Sequence, residues 1–280
     1  MMFSESEVLK VVSFDNYALD VHIWDAETPK AVFIAVHGGL THAGDWEIPA
    51  LPLKEMGYTT VAHDLRGHKQ KVSHFKKFDH MLQDLTAVVN WTKGRYPNIP
   101  KFVVGHSIGG LIATHWGIKY HDPEIKGYIL SSPYYANVIH FNPILLKVNT
   151  LLSVILPKMP VKVEDVTDEL TRDEKITEMH KKNRERGLRT SSVTSRFAEE
   201  ITRAQNWIPD NISKWNHPAL VFVAGDDHLA DSNVTMDLLK TLPENLLEIH
   251  FYEDNKHENF NELNRKEIFD LMDKWVKGHI

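Results

Sequence analysis

The chain has 280 residues, of which 42% are hydrophobic and 25% charged; this balance is typical of a globular protein and excludes a disordered one. The formal net charge of −6 argues against a nucleic-acid-binding protein, which usually presents a basic face. The absence of cysteine excludes disulfides, thiolate nucleophiles and cysteine metal sites.

Nothing in the sequence indicates secretion or a membrane span. Residues 1–7 lack a basic region followed by an apolar run, and no apolar stretch approaches the roughly 20 residues that a spanning helix needs. Together with the missing cysteines, which fit a reducing compartment, this leads us to expect a cytoplasmic protein, with peripheral contact to a membrane left open.

The first part of the chain alternates strand and helix patterns. Two alternating runs within residues 8–24, separated by Asp15-Asn16, predict an antiparallel hairpin at a sheet edge. Continuous apolar runs predict strands buried on both faces, and the segments between them have helical periodicity. The predicted strands are 31–36, 59–62 and 126–130, and the predicted helices are 47–56 and 78–93.

A candidate nucleophile, Ser107, lies between a short apolar strand and a helix predicted to run to about Tyr120. Gly105 and Gly109 flank the serine at the spacing of a G-x-S-x-G nucleophile elbow. Side chains at these glycines would collide with the neighbouring strand and helix, because the serine occupies a strained turn. The alternative is an ordinary glycine-rich turn with an incidental serine.

A second glycine loop, His37-Gly38-Gly39-Leu40, follows the predicted strand 31–36. If Ser107 is a nucleophile, the backbone N–H groups of Gly39 and Ile108 are predicted to form the oxyanion hole. The alternative is a plain glycine loop.

Asp64 and Arg66 follow the strand 59–62 and could be read as catalytic. We favour a structural role for both, in which ion pairs and hydrogen bonds hold their loop.

The strand–helix alternation stops at residues 134–212, which we call the cap segment. Residues 144–161 are rich in Leu, Ile and Val, and residues 168–205 are charged and helical in character. We expect an insertion that packs over the active edge of the sheet, with residues 1–133 and 213–280 forming the core domain. The basic cluster at 181–186 is interpreted as a solvated helix face rather than a site for an anionic headgroup.

The alternation resumes with strands at 219–224 and 247–252, a helix at 234–242 and a closing helix at 260–276. The whole pattern predicts an α/β protein with a mostly parallel, doubly wound sheet of about eight strands. In such sheets the chemistry lies at the carboxyl ends of the strands.

A candidate base, His257, follows the last predicted strand. It would take the proton of the Ser107 hydroxyl and pass it to the leaving group. The segment 257–261 lacks the second histidine of an H-E-x-x-H zinc site, and we expect no metal or cofactor.

Three aspartates near the end of the strand 219–224 compete for the role of orienting the imidazole, namely Asp226, Asp227 and Asp231. Asp231 is predicted to cap the following helix. We favour Asp227, and Asp226 stays open as the alternative.

These motifs together resemble those of the α/β-hydrolases in the monoacylglycerol lipase and lysophospholipase group, which is classed with a serine aminopeptidase-like family. The segments that carry the resemblance are 37–39, 64–68, 105–110, 171–173, 227–229 and 257–262, the last being similar to an H-E-x-x-N-E signature. The resemblance implies the triad Ser107, Asp227 and His257, and a cap whose apolar face accepts an acyl chain.

The resemblance also implies a small-molecule substrate, a monoacylglycerol, a lysophospholipid or a similar single-chain ester, cleaved through an acyl-enzyme on Ser107. Transient contact of the cap with a membrane surface would fit such a substrate. Two alternatives stay open: a small-ester esterase or aminopeptidase-like hydrolase with the same triad, and a non-catalytic binding protein on this fold.

Overall fold

An eight-stranded sheet forms the centre of the structure, a computed structural model that describes residues 2–139, 142–190 and 192–280. The strands of the sheet are β1 (Glu7–Val12), β2 (Ala18–Trp24), β3 (Ala31–Val36), β4 (Tyr58–His63), β5 (Lys101–His106), β6 (Ile125–Ser131), β9 (Ala219–Ala224) and β10 (Leu247–Tyr252). Two short strands, β7 (Pro160–Lys162) and β8 (Ser192–Thr194), pair antiparallel outside it.

The order of strands across the sheet is β1-β2-β4-β3-β5-β6-β9-β10. β1 pairs antiparallel with β2, and β2 pairs antiparallel with β4. From β4 to β10 every pairing is parallel. The predictions of an edge hairpin and of a mostly parallel sheet of about eight strands are confirmed.

Helices cover both faces of the sheet. They are α1 (Glu47–Glu55), α2 (Phe78–Arg95), α3 (Ile108–Tyr120), α4 (Pro143–Ile155), α5 (Glu174–Glu185), α6 (Ser195–Asn211), α7 (Ser232–Leu239) and α8 (Arg265–Lys277). Successive side chains of β3 enter opposite cores, Ile34 with the apolar residues of α2 and α3, and Phe33 with those of α1 and α8. This two-sided burial explains the continuous apolar run of β3.

The closing helix begins at Arg265, not at Phe260 as the apolar pattern predicts. Residues 259–261 form a short 3-10 turn instead, and the ring of Phe260 packs 5.7 Å from that of Trp46. The carboxylate of Glu262 accepts the N–H of Lys256 at 3.0 Å, which closes a loop that an α-helix could not contain. Phe260 is thus apolar because of tertiary packing and not because of helical periodicity.

The cap segment contains α4, α5, α6 and the β7–β8 pair, and it connects β6 to β9. Its residues 140, 141 and 191, like residue 1 of the predicted core domain, lie outside the described part of the chain. The strands β7 and β8 have only three residues each, too few for periodicity to reveal them. The division of the chain into core and cap stays a prediction.

Within the described ranges, no helix combines the length and the apolar character needed to span a bilayer.

Candidate active site

Ser107 lies in the turn between β5 and α3, with φ of 56° and ψ of −121°, a backbone conformation that residues with a side chain rarely adopt. A Cβ atom at Gly105 would lie 2.5 Å from the carbonyl oxygen of Gly109, and one at Gly109 would overlap the carbonyl oxygen of Val36. Both contacts are with backbone atoms that cannot move aside. The glycine spacing read from the sequence therefore has a steric cause.

Asp227 and His257 meet at the carboxyl ends of β9 and β10. Asp227 Oδ2 lies 2.8 Å from His257 Nδ1, and both side chains are buried. The other oxygen of Asp227 accepts the N–H groups of Leu229 and Ala230, each at 2.9 Å. These two hydrogen bonds fix the orientation of the carboxylate so that Oδ2 faces the imidazole.

The other two candidate aspartates, Asp226 and Asp231, have different partners. Asp226 is half exposed and pairs with His228 at 3.1 Å. Asp231 accepts the N–H groups of Asn233 and Val234, so the prediction that it caps α7 is confirmed. The carboxylate that contacts the imidazole is that of Asp227.

The electrostatics of the pair favour its ionised form. Burial alone would lower the pKa of His257, but the charge and hydrogen bond of Asp227 and the charge of Glu258 outweigh it and raise that pKa. Burial would raise the pKa of Asp227, but His257 and the two backbone N–H groups lower it. Burial and the nearby charge of His257 lower the pKa of His106 to about 3, so that ring stays neutral.

Ser107 and His257 are brought to the same edge of the sheet, because β5, β6, β9 and β10 are consecutive neighbours. The ring of His106, next to the serine, lies 4.9 Å from the ring of His257. Among the described residues His257 Nε2 has no hydrogen-bond partner, so Ser107 does not donate to it in this conformation. Catalytic hydrogen bonds are often long in ligand-free enzymes and tighten with substrate.

The two predicted oxyanion residues are also neighbours. A Cβ atom at Gly39 would lie 2.6 Å from Cδ1 of Ile108. Ile108 is the first residue of α3, so its N–H belongs to the helix end that lacks intrahelical partners. The two residues are therefore adjacent, and their joint role as oxyanion donors stays a prediction.

His37 connects the Gly38-Gly39 loop to the segment that follows β4. Its Nδ1 lies 2.7 Å from the carbonyl oxygen of Gly38, and its Nε2 accepts the N–H of Leu65 at 2.9 Å. Burial lowers the pKa of His37, and the neutral ring can donate from one nitrogen and accept at the other.

Asp64 and Arg66 fix the loops behind the site, as we predicted from the sequence. Asp64 accepts the N–H of Ala43 at 2.8 Å and the ammonium group of Lys69 at 2.7 Å. Arg66 donates to both oxygens of Asp84, each at 2.5 Å. Among the described residues, the hydrogen bonds and ion pairs of these two side chains do not include Ser107 or His257.

Sequence reasoning missed a buried charged cluster beside the site, which consists of Asp45, His180, Arg189 and Glu258. Arg189 donates to Asp45 at 2.7 Å and to Glu258 at 3.1 Å, and His180 Nε2 lies 2.7 Å from Glu258. Glu258 had a signal, since it directly follows His257 in the H-E-x-x-N-E segment. Arg189 had none, because its partners are distant in sequence.

The remaining residues of that signature attach the cap segment to the loop of His257. Glu262 accepts the backbone N–H and the Nε–H of Arg172, both at 3.0 Å. Asn261 donates to Glu258 at 2.6 Å and accepts from Thr171 at its carbonyl oxygen, at 2.9 Å. The motifs at 171–173 and 257–262 therefore face each other.

In the part of the chain that the structure describes, no group of three or more His, Cys, Asp or Glu residues is arranged to hold a metal ion.

Comparison with known proteins agrees with this architecture. The sequence matches the family described as serine aminopeptidase, S33, over residues 27–264. It is 28% identical over 250 residues to phospholipase YtpA from Bacillus subtilis, covering 88% of this chain and 95% of that protein. It is 25% identical over 262 residues to a monoacylglycerol lipase from Mycolicibacterium smegmatis, covering 92% of each chain.

Among solved structures, a soluble variant of the monoglyceride lipase from Saccharomyces cerevisiae in complex with a substrate analog has a TM-score of 0.86 to this structure. That alignment covers 99% of this chain and 96% of the other at 20% identity, which shows the shared fold. The resemblance inferred from the motifs is confirmed, and the chain belongs to the serine aminopeptidase S33 family of α/β-hydrolases.

Proposed function

We propose that this protein is a serine hydrolase that cleaves carboxylic esters of single-chain lipids, such as monoacylglycerols or lysophospholipids. The observation that carries the proposal is the buried Asp227–His257 pair, 2.8 Å apart, at the same sheet edge as the strained turn of Ser107. The similarity to a phospholipase and to monoacylglycerol lipases supports the lipid ester as substrate.

In the mechanism we propose, His257 Nε2 removes the proton of Ser107 as the serine oxygen attacks the ester carbonyl. Asp227 stabilises the imidazolium and fixes its tautomer. The N–H groups of Gly39 and Ile108 bind the oxyanion, and loss of one such donor costs about 10²- to 10³-fold in kcat. The imidazolium then protonates the departing alcohol, and a water molecule, activated by the same histidine, releases the fatty acid.

An aminopeptidase-like activity is the second candidate, because the family is described by that name. A peptide substrate would present an α-ammonium group, which requires an available carboxylate. Asp45 and Glu258, which are buried carboxylates beside the site, are both paired with Arg189. This pairing favours the neutral head of an ester.

The cap segment supports a lipid substrate in a second way. In α4 only Ser153 is buried, and the helix contains a single charged residue, Lys147. Its exposed apolar side chains, each 46–69% accessible, are Ile144, Leu145, Val148, Leu151, Val154 and Ile155. We propose that this helix rests transiently on a lipid surface from which the substrate enters, as amphipathic helices do.

The basic cluster of the cap has a different role. Lys181, Lys182 and Arg184 form ion pairs with carboxylates of the same segment, namely Asp168, Glu178 and Asp165. We therefore assign contact with lipid to the apolar helix and not to an anionic-headgroup site.

The test compares the wild type with Ser107→Ala on p-nitrophenyl esters of graded chain length and on aminoacyl p-nitroanilides. We expect ester hydrolysis that rises with chain length and falls by about 10³-fold or more in the variant. A fluorophosphonate probe should label the wild type alone. Activity that survives Ser107→Ala would exclude the serine mechanism, amide preference would favour the aminopeptidase, and an unlabelled, inactive wild type would indicate a binding protein.

A further inference from the structure

A single arginine of the cap segment bridges the two loops that surround the proposed reaction centre. Arg189 lies beyond the end of α5 and is 9% exposed. Its Nε and Nη2 donate to Asp45 Oδ2 at 3.1 and 2.7 Å, and its Nη2 also donates to Glu258 Oε1 at 3.1 Å. One guanidinium group thus contacts two carboxylates that are distant in sequence.

The first of these carboxylates lies in a short 3-10 turn, Ala43–Trp46, next to the oxyanion loop. Asp45 follows the Gly39 loop in the chain, accepts a hydrogen bond from Thr41 and lies 3.1 Å from His42 Nε2. The residue after Arg189 adds a backbone link, because the N–H of Thr190 donates to the carbonyl oxygen of Leu40 at 3.1 Å. The cap is therefore joined to this loop by both main chain and side chain.

The second carboxylate is adjacent to the proposed base. Glu258 directly follows His257, and its other oxygen accepts from His180 Nε2 at 2.7 Å and from Asn261 at 2.6 Å. Its backbone N–H donates to the carbonyl oxygen of Leu170 in the cap, at 2.8 Å. Two of these three partners, His180 and Leu170, belong to the cap, and Asn261 belongs to the loop of His257 itself.

The bridge also borders the site itself. Gly38, His106, Arg189 and Glu258 line one cavity of about 40 Å³ behind the oxyanion loop. A buried guanidinium that satisfies two carboxylates at once fixes their separation, since its fork has a rigid geometry. Removing it leaves two buried carboxylates without their shared cation, which is strongly unfavourable.

We propose that Arg189 is a positioning residue that sets the distance between the Gly39 loop and His257. Through this residue the cap holds the oxyanion hole and the base at the separation that the reaction requires. This inference rests on the proposed serine-hydrolase function. Arg189 itself touches neither reacting atom, and it acts through Asp45 and Glu258.

The bridge has an electrostatic consequence that a merely structural contact would not have. The charged or titratable groups facing His257 are Asp227, Glu258 and His106. From the cap, Arg189 forms an ion pair with Glu258, and His180 forms a hydrogen bond with it. Without the positive charge of Arg189, the negative charge of Glu258 stabilises the protonated form of His257 more strongly. The acidic limb of the kcat/KM–pH profile then moves to higher pH.

The experiment compares Arg189→Met, Arg189→Lys and the control Arg184→Met on a p-nitrophenyl ester. Arg184 is a cap arginine that pairs with Asp165 and donates to Thr167, away from both loops. For Arg189→Met we expect kcat to fall by about 10- to 100-fold with KM nearly unchanged, because misplaced catalytic groups weaken the transition state more than substrate binding. The acidic limb of the kcat/KM–pH profile of Arg189→Met should move to higher pH.

Arg189→Lys separates charge from geometry. The ammonium group keeps the positive charge but cannot present a fork to both carboxylates. We expect its acidic limb to stay near that of the wild type while kcat still falls. Arg184→Met should match the wild type in both measurements.

The proposal is overturned if a folded Arg189→Met or Arg189→Lys, checked by circular dichroism, retains the wild-type kcat and acidic limb. Should Arg189→Met not fold, the charge-preserving Arg189→Lys decides by its kcat alone. Ser107→Ala distinguishes failure of the serine-hydrolase function from failure of the positioning role. If that variant stays active, the proposed function fails, whereas an inactive Ser107→Ala with unaffected Arg189 variants rejects only the positioning role.

Discussion

Asp227 Oδ2 lies 2.8 Å from His257 Nδ1, and two backbone N–H groups hold the opposite oxygen of the carboxylate. This arrangement leaves His257 Nε2 as the nitrogen available to Ser107. It also distinguishes Asp227 from Asp226, whose side chain turns towards solvent and His228.

Asp227→Asn should lower kcat by about 10⁴-fold, because an amide no longer selects the catalytic tautomer or stabilises the imidazolium. Its acidic limb should also move to lower pH, since the carboxylate that raises the pKa of His257 is gone. The matched control is Asp226→Asn, for which we expect activity within about threefold of the wild type, as for most exposed substitutions. A larger loss in Asp226→Asn than in Asp227→Asn would reverse the assignment.

The pH dependence of the wild type follows from the same pair. His257 must be neutral to accept a proton, and its pKa is raised above the ordinary value of about 6.5. Activity should therefore fall as the pH decreases through a value above about 6.5. The kcat/KM profile of a short-chain ester measures this limb, and a midpoint below that value would contradict the electrostatics described above.

Gly105→Ala should severely destabilise the protein, because its Cβ would lie 2.5 Å from the carbonyl oxygen of Gly109 and 2.8 Å from Cα of Gly110. Gly94→Ala in α2 is the matched control, since apart from its chain neighbours and the backbone of its own helix no described atom lies within 4 Å of the added methyl group. Because alanine favours the helix over glycine, Gly94→Ala should raise the free energy of unfolding by about 0.5–1 kcal/mol. Thermal unfolding of both variants tests the contrast, and equal melting temperatures would show that the elbow tolerates a side chain.

Buried neutral histidines should make the fold sensitive to acid. Burial lowers the pKa of His68 and His115 to about 4, below the value near 6.5 of an unfolded histidine. A group with a lowered pKa stabilises the fold fully above its unfolded pKa, and that contribution is lost as the pH falls from about 6.5 towards 4. His22 and His257, whose pKa values are raised, contribute the opposite slope.

His115→Gln isolates this effect. Urea unfolding between pH 7 and pH 4.5 should show a free energy of unfolding that depends less on pH in the variant than in the wild type, whatever its absolute stability. Identical slopes would mean that His115 is not held neutral by burial.

Binding of α4 to lipid can be tested with vesicles of zwitterionic phosphatidylcholine. Leu151→Glu with Ile155→Glu should abolish cosedimentation, because both side chains are exposed, at 59% and 63%, on the proposed lipid face. The control places the same two charges on the edge strand β1, as Val8→Glu with Val12→Glu. Equal binding by all three proteins would remove lipid contact from α4, and activity on a water-soluble ester should be unaffected by either pair.

Much of the architecture could be predicted from the amino-acid sequence alone. The apolar run of β3, the alternation of β1 and β2, and the glycines around Ser107 encode local backbone geometry and burial, which depend on near neighbours. The order of Ser107, Asp227 and His257, each following a strand, placed them at one edge because parallel strands share a carboxyl end.

The tertiary structure decided what depends on contacts between distant segments. It paired His257 with Asp227 and not with Asp226. It also placed the start of α8 at Arg265, and it brought Arg189 between Asp45 and Glu258. No periodicity records such pairings, because a buried ion pair is set by the path of the chain in space and not by the spacing of its residues.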